Sequence, residues 1–199
     1  MSDQHYSLAL ITAPAAEPFT TAQAKSHLRV TESADDTLID TLILAARKRA
    51  ESDLGRALIT QTWEMYLDEF PFNYSPGIVP PRAPLQSVTS IKYIDNDGVE
   101  QTWSSADYRV DVKSEPGRIT PEWSESWPTP RVITNAVTVK YVAGYGDAST
   151  DIPQDIRQAM LMLIGHWYEN RESIVVGTIT APVPQSYEWL IAPHKVFDF

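Results

Sequence analysis

The sequence predicts an α+β protein in which a small helical bundle carries an inserted antiparallel β region and a C-terminal arm. Apolar residues recur at steps of three and four between Leu38 and Leu54 and again between Ile156 and Trp167, which is typical of two amphipathic helices. Between these helices, short runs with a period of two alternate with turn residues, which favours antiparallel strands. The 199 residues suit a single domain (1–199), with the helical core at 19–56 and 151–172, the β insertion at 58–146 and the arm at 173–199.

The helical core is predicted to begin with a short helix followed by a long one. Thr20 or Thr21 offers a hydroxyl that accepts a hydrogen bond from an amide of the first turn. Asp35 or Asp36 caps the long helix, and Gly55 ends it after roughly 28 Å at about 1.5 Å per residue. The wet face of the long helix, opposite its apolar stripe, is predicted to hold Asp40, Arg47, Lys48, Glu51 and Asp53.

The β insertion is predicted to open with a strand that alternates from Ile59 to Trp63 and continues toward Phe70. The stretch 71–84 reads as a loop or edge, because its prolines cannot donate to a strand ladder. A strand at 85–94 then enters a hairpin turn made by the sequence Asp-Asn-Asp-Gly, which leads into a second strand, VEQTW, at 99–103. Further strands are predicted at 108–112, 117–119 and 136–142.

A third helix is predicted to open at Asp151, with Pro153 in its first turn, and to pack its apolar stripe against the long helix. Beyond Arg171 the chain is apolar and broken by proline until QSYEWLIAP, which is long enough for one or two helical turns. The apolar side chains between Tyr187 and Phe199 are numerous for a free tail. Either they fold back on the parent domain or they await a partner.

Composition and charge exclude several functions. Without cysteine the chain has no disulfide and no thiolate metal site. Sixteen basic against 26 acidic residues give a charge of −10, which opposes tight binding to a phosphate backbone. This acidity either only keeps the protein soluble or lines a channel that repels DNA. The N-terminus lacks the basic start of a signal peptide, and no run approaches the roughly 18 apolar residues of a membrane span.

Patterns for catalytic, metal or cofactor sites are weak. His166 and Glu169 stand in the reverse order of the Glu-x-x-His of di-iron bundles and are interpreted as a helix-surface or interface pair. Asp95 and Asp97 are too few for a calcium loop, and Gly144-Tyr145-Gly146 lacks the third glycine of a dinucleotide loop. We therefore predict no metal, no cofactor and no enzyme. A stacking platform could use tryptophans, but without interleaved basic residues core and interface roles explain them better: Trp63, Trp103, Trp123, Trp127, Trp167 and Trp189.

An ordered set of short segments resembles the head-tail connector (adaptor) family of long-tailed bacteriophages and prophages. No one of these segments is specific, but their order along the chain is. The matching segments are the TxAxAKxHLRV run 20–30, Asp35-Asp36, 38–47, Gly55-Arg56, 59–63, Phe70-Pro71, Pro84-Leu85, Tyr108, Pro116-Gly117, Tyr141, 143–146, Ile152-Pro153 and 166–172.

The resemblance implies a structural subunit of the virion neck, made in the cytoplasm of a bacterial host. Copies would form a twelve-fold ring below the portal, extend the DNA channel and dock the tail. The implied partners are the portal protein, a tail-completion or stopper protein and further copies of the chain, while DNA passes without specific binding and no membrane takes part. The alternatives are another neck or tail-completion protein, or a stand-alone ligand-binding module that uses an aromatic patch.

The arm 173–199 is expected to extend from the bundle and dock on the portal. The anchors in apolar pockets would be Trp189, Leu190, Phe197 and Phe199. Deleting residues 193–199 should then leave the fold intact and weaken portal attachment. The β insertion is the candidate for lateral or tail-facing contacts, the alternative being that it only closes the core.

Overall fold

A computed structural model describes residues 5–72, 77–170 and 185–196. The chain divides into two compact units, a sheet unit (residues 1–14 and 60–145) and a helical unit (residues 15–59 and 146–199). Helices together with antiparallel strands confirm the predicted α+β class. The expectation of one domain stays a prediction.

The helical unit is built on α1 (Thr21–Leu28), α2 (Asp36–Leu54), α3 (Gln154–Glu169) and α4 (Gln185–Ile191). As predicted, α3 packs against α2, and α4 packs in turn against α3. Single turns of 3-10 helix lie at Ser149–Asp151 and Ala192–His194. The apolar core residues of α2 and α3 are at most 3% exposed: Ile39, Ile43, Ala46, Ala50, Leu54, Ile156, Ala159, Met160, Leu163 and Ile164.

Local chemistry sets the helix ends. The Thr20 hydroxyl accepts from the Gln23 amide at 3.2 Å, and the Gln23 side chain accepts from the Thr20 amide at 2.9 Å, which confirms the predicted cap of α1. Gly55 ends α2 in the left-handed conformation, with φ 67°. The side-chain cap expected of Asp35 is not formed, because its carboxylate accepts instead from the Tyr168 hydroxyl at 2.6 Å.

Two further expectations for the helices are corrected. Helix α3 begins at Gln154, since Asp151 lies in a 3-10 turn and its carboxylate accepts from the Ala148 amide. Arg47 and Glu51, predicted on the wet face of α2, are buried. They are compatible with burial because they pair with each other, at 2.9 Å between Arg47 Nη1 and Glu51 Oε2.

The sheet unit contains β1 (Tyr6–Thr12), β2 (Gln61–Leu67), β3 (Leu85–Ile94), β4 (Glu100–Trp103), β5 (Tyr108–Asp111), β6 (Arg118–Pro121) and β7 (Val137–Ala143). One antiparallel sheet has the order β1-β2-β7-β3-β4, and β5 pairs with β6 in a second. The strands from β2 to β7 match the predicted ones to within a few residues. Alternate residues of β7, from Val137 to Ala143, are completely buried, as the period of two predicts.

Strand β1 was not predicted. It lies at an edge of the sheet and pairs with β2, from Tyr6 opposite Leu67 to Thr12 opposite Thr62. Its side chains are exposed or half-buried along its whole length. Because neither face of this strand is buried, its sequence need not alternate, and residues 8–11 form only a short continuous apolar patch.

Candidate interaction surfaces

Helix α4 holds the described part of the C-terminal arm against the helical unit. Tyr187 is completely buried, and its hydroxyl donates to Asp53 Oδ2 at 2.9 Å. Burial first, and then this hydrogen bond, raise the pKa of Tyr187, so the hydroxyl stays a donor at neutral pH. Arg49 Nε donates to the same Asp53 oxygen at 2.7 Å. These contacts fix which face of α4 is turned outward.

The residues after α4 are also bound to the helical unit. Arg56 Nε donates to the His194 carbonyl at 2.6 Å, and the Val196 amide donates to the Leu54 carbonyl at 2.9 Å. The His194 ring lies within hydrogen-bond distance of the Asp155 carboxylate. Burial alone would raise the pKa of Asp155, but the His194 hydrogen bond and the Ile156 amide outweigh it and lower that pKa.

Gly55 is required where this segment passes over the end of α2. A Cβ at Gly55 would lie 3.3 Å from the Val196 carbonyl oxygen, and the positive φ of Gly55 already disfavours a side chain. The described arm, residues 185–196, therefore folds back and does not extend, which corrects the expectation of an extended arm for these residues. The deletion of residues 193–199 would remove bonds to Arg56 and Leu54, so it would not leave the fold untouched.

A cluster of aromatic rings organises the sheet unit. Phe70, which follows β2, stacks on Trp127 with ring centroids 5.2 Å apart, and Trp103 lies at the same distance from Trp127 and from Tyr108. Phe70, Trp103 and Tyr108 are buried. The cluster is thus part of the core and ties the loop 122–135 to the strands, as the preferred core interpretation of these tryptophans predicts.

One end of the sheet, which we call the apolar end, gathers exposed apolar side chains. Register places the end of β2, the end of β3 and the start of β7 together, because Leu67 and Tyr93 both pair with Val137. The loop before β7 and the β3–β4 hairpin meet here, since a Cβ at Gly98 would lie 2.8 Å from Arg131 Nη1. Exposed apolar residues of this end include Phe72, Val99, Val132 and Ile133. Tyr6, which pairs with Leu67, lies at this end as well.

Acidic residues surround the apolar end. Asp95 is half-buried and organises the hairpin turn, where its Oδ1 accepts from the amides of Asp97 and Val99 at 3.0 and 2.9 Å. These bonds, that of the Val99 amide first, lower the pKa of Asp95. Asp68 and Glu69, both exposed, follow β2 at the same end.

The opposite end of the sheet carries the turn between β5 and β6. A Cβ at Gly117 would lie 2.7 Å from the Leu85 Cβ, and Leu85 pairs with Ala143 at the end of β7. This turn presents Val112, which is 45% exposed, and Lys113. The two ends are separated by the seven residues of β2, or about 20 Å at the rise of a strand.

Asp111 fixes this turn, and its titration is a testable consequence. Its carboxylate accepts from the Ser114 hydroxyl at 2.7 Å, from the amides of Lys113 and Ser114, and from Arg118 Nε at 3.1 Å. Bonds to the charged form, that of the Ser114 hydroxyl first, lower the pKa of Asp111 to about 2. The stabilisation of the turn is therefore present above the ordinary pKa of aspartate and is lost as the pH falls through about 2.

A carboxyl-detected NMR titration should give a midpoint for Asp111 well below the ordinary aspartate value. The Ser114→Ala variant removes the largest cause and should move this midpoint upward. A wild-type midpoint near the ordinary value would show that these hydrogen bonds do not form in solution.

Metal and membrane sites find no support in the described ranges. No group of three or more His, Cys, Asp or Glu side chains there could hold a metal ion. His166 instead lies one turn from Asn170, whose side chain donates to the His166 carbonyl at 2.9 Å. None of the helices in these ranges combines the length and apolar character needed to cross a bilayer.

Comparison with known proteins decides the family. The family model for the head completion protein matches residues 18–181. The chain belongs to the head completion protein family. Membership confirms the predicted kind of protein, a structural component at the junction of head and tail. A search of curated proteins found no match.

Solved structures share the fold of this head completion protein. A chain of the virion of a native gene transfer agent particle superimposes with a TM-score of 0.75 at 23% identity, covering 96% of each chain. A chain from the neck of the empty particle, computed with C6 symmetry, gives 0.73 at 22% identity and 97% coverage of each chain. A chain from the neck of the native particle, computed with C12 symmetry, gives 0.69 at 21% identity, again with 97% coverage of each.

The residues predicted to bind the portal are only partly described in this head completion protein. Trp189 lies on α4 and is 73% exposed, while Leu190 is half-buried beside it. Phe197 and Phe199 lie outside the described residues. Of the other tryptophans, Trp123 is 91% exposed and belongs to the sheet unit.

Sequence reasoning did not find the apolar end. Its residues are single apolar side chains in loops, and such residues are common on protein surfaces. The one available signal was the pair Val132-Ile133 inside a loop otherwise rich in proline and polar residues. Only the register of the strands brings this pair beside Val99.

Proposed function

We propose that this head completion protein forms a ring in the neck of a phage-like particle. The ring lies below the portal, continues the DNA channel and provides the surface on which the tail docks. The observation that carries the proposal is the family match over residues 18–181, together with a fold shared over nearly the whole chain with chains of a gene transfer agent neck. That neck was computed with C6 and with C12 symmetry, which supports a ring of twelve copies here.

The charge of the chain is compatible with this role. A net charge of −10 opposes tight binding of the protein to the phosphates of DNA. A channel wall of the same sign as DNA lets the duplex slide without sticking. We therefore assign the DNA no specific contact with the ring.

Sedimentation of the purified protein, alone and mixed with the portal protein of the same particle, tests the ring. We expect a heavy fraction in the mixture that electron microscopy shows as a ring stacked on the narrow end of the portal. A monomer that ignores the portal contradicts the proposal. A ring that binds a different neck protein and not the portal favours the tail-completion alternative.

We further propose that the outer face of α4 contributes to portal attachment. Trp189 is a large aromatic residue held outward on a docked helix, which is typical of an interface anchor. Leu190 lies next to it, and Phe197 and Phe199 belong to the same proposed set. The buried Tyr187 and Ile191 hold α4 in place, so Trp189 can meet a partner without rearrangement of the helix.

Replacing Trp189 by alanine should weaken portal attachment by about 30-fold, the effect of losing an anchor worth about 2 kcal/mol. Stability should change by less than about 0.5 kcal/mol, because the side chain is mostly exposed. Co-sedimentation with the portal measures the first effect and urea unfolding the second. Trp123→Ala is the matched control, since it removes a tryptophan of the sheet unit that is also mostly exposed. Equal attachment by both variants would rule out Trp189 as an anchor.

A further inference from the structure

We infer that the apolar end of the sheet docks a second neck protein through an apolar loop that carries lysine or arginine. This partner differs from the portal and from further copies of the chain. The inference rests on the proposed ring, to which it gives a docking surface on the sheet unit. The sequence predicted a contact surface somewhere on the β region. The inference assigns that surface to Phe72, Val99, Val132, Ile133 and the acidic residues around them.

The backbone of the apolar end is fixed although its side chains are exposed. The Arg131 amide donates to the Ile94 carbonyl at 2.8 Å, and the Asn135 amide donates to Asp68 Oδ1 at 2.8 Å. The loop between these bonds presents Val132, which is 98% exposed. A loop fixed at both ends loses little conformational entropy on binding. Most of the free energy gained by burying its apolar side chains is therefore available for affinity.

The number of exposed apolar side chains also indicates an interface. Single apolar residues on a surface need no explanation, but here the hairpin and the loop before β7 place Val99, Val132 and Ile133 at one end of one sheet. Phe72, fully exposed, follows β2 at the same end. An apolar centre with a polar rim is the usual anatomy of a protein interface.

The rim determines the chemistry of the partner. Asp68, Glu69 and Asp97 are exposed around the apolar centre, and Arg131 is the basic residue that lies against the hairpin. A second copy that docked through the same end would bring its own acidic rim against this one, which opposes that contact. A loop with lysine or arginine beside its apolar residues is attracted, and the contact is weakened by salt.

The test titrates the purified tail-completion (stopper) protein of the same particle against rings of the full chain. Val132→Glu should weaken its binding more than tenfold, because it removes an apolar contact and places a charge at the centre. Asp97→Lys should also weaken binding and should reduce its dependence on salt. Val112→Glu is the matched control, since it makes the same change at the opposite end of the sheet. All three sites are exposed, and circular dichroism should report an unchanged fold.

Each outcome has a distinct meaning. Weaker stopper binding by Val132→Glu, with Val112→Glu and ring formation unaffected, supports the inference. Loss of the ring itself in Val132→Glu would show that a second copy occupies the apolar end, and it overturns the inference. Stopper binding that none of the variants changes, or no stopper binding by wild-type rings, overturns it as well. A wild-type protein that forms no ring with or without portal overturns the proposed function first.

Discussion

Replacing Arg47 by methionine is expected to lower the free energy of unfolding by about 3 kcal/mol. Arg47 is buried in the helical unit and binds Glu17 through Nε and Nη2, at 2.7 and 3.0 Å, and Glu51 through Nη1, at 2.9 Å. Burial opposes the charge, but the bonds to Glu17 and the attraction of Glu51 outweigh it and raise the pKa of Arg47. Methionine fills most of the space of the arginine side chain. It leaves the buried Glu51 carboxylate without the positive charge of the guanidinium. Urea unfolding followed by circular dichroism measures the loss.

Arg49→Met is the matched control for this prediction. It makes the same substitution half a turn further along α2, where Arg49 is exposed and pairs with Asp53 four residues on. Such a pair is worth less than about 1 kcal/mol. The double variant Arg47→Met/Glu51→Gln should recover part of the loss, because the glutamine side chain is neutral and keeps an oxygen for the Leu58 amide, which now donates to Glu51 Oε1 at 3.1 Å. If Arg47→Met and Arg49→Met lower the free energy of unfolding by the same amount, the buried Arg47 network stabilises the protein no more than an exposed ion pair does.

The burial of Arg47 also shows where sequence reasoning fails within a correctly predicted helix. The apolar stripe and the Gly55 end of α2 depend on residues a few positions apart, and both were predicted correctly. The partner of Arg47 on its far side is Glu17, 30 residues earlier in a segment with no periodicity. A prediction from sequence assigns a charged helix residue to the solvent-exposed face. Only the folded structure shows that such a residue has a partner in the interior.

In the strands and the arm, too, local sequence features were predicted and long-range contacts were not. The turn at Asp95 and the alternation in β7 are local features, so the hairpin and β7 were predicted. The docking of α4 depends on Tyr187 reaching Asp53, 134 residues away, and no local pattern distinguishes it from a helix that awaits a partner. Of the candidate surfaces, the one at Trp189 was proposed from the sequence because an aromatic residue in a short C-terminal helix is conspicuous, and its role in binding stays a prediction. The apolar end required the strand register.

Replacing Tyr187 by alanine should release α4 from the helical unit. The side chain is completely buried, and truncating a buried aromatic residue costs about 3–5 kcal/mol. A helix of seven residues is not stable alone in water. We therefore expect the loss of stability to appear first as undocking of α4, which would be seen as faster hydrogen exchange at residues 186–191. The urea concentration at which α2 and α3 unfold should change less. Portal attachment should fall as far as in Trp189→Ala, because the released helix no longer presents Trp189 in a fixed position.

Tyr187→Phe separates the packing of the ring from the hydrogen bond. It keeps the buried ring and removes only the donation to Asp53, which retains Arg49 at 2.7 Å. The expected cost is about 1 kcal/mol, and α4 should stay docked with near-normal portal attachment. If Tyr187→Ala loses attachment while Tyr187→Phe keeps it, the fixed position of α4 is what the portal recognises. If Tyr187→Ala exchanges faster yet binds the portal as wild type does, the portal does not use the docked helix, and the proposed role of Trp189 fails with it.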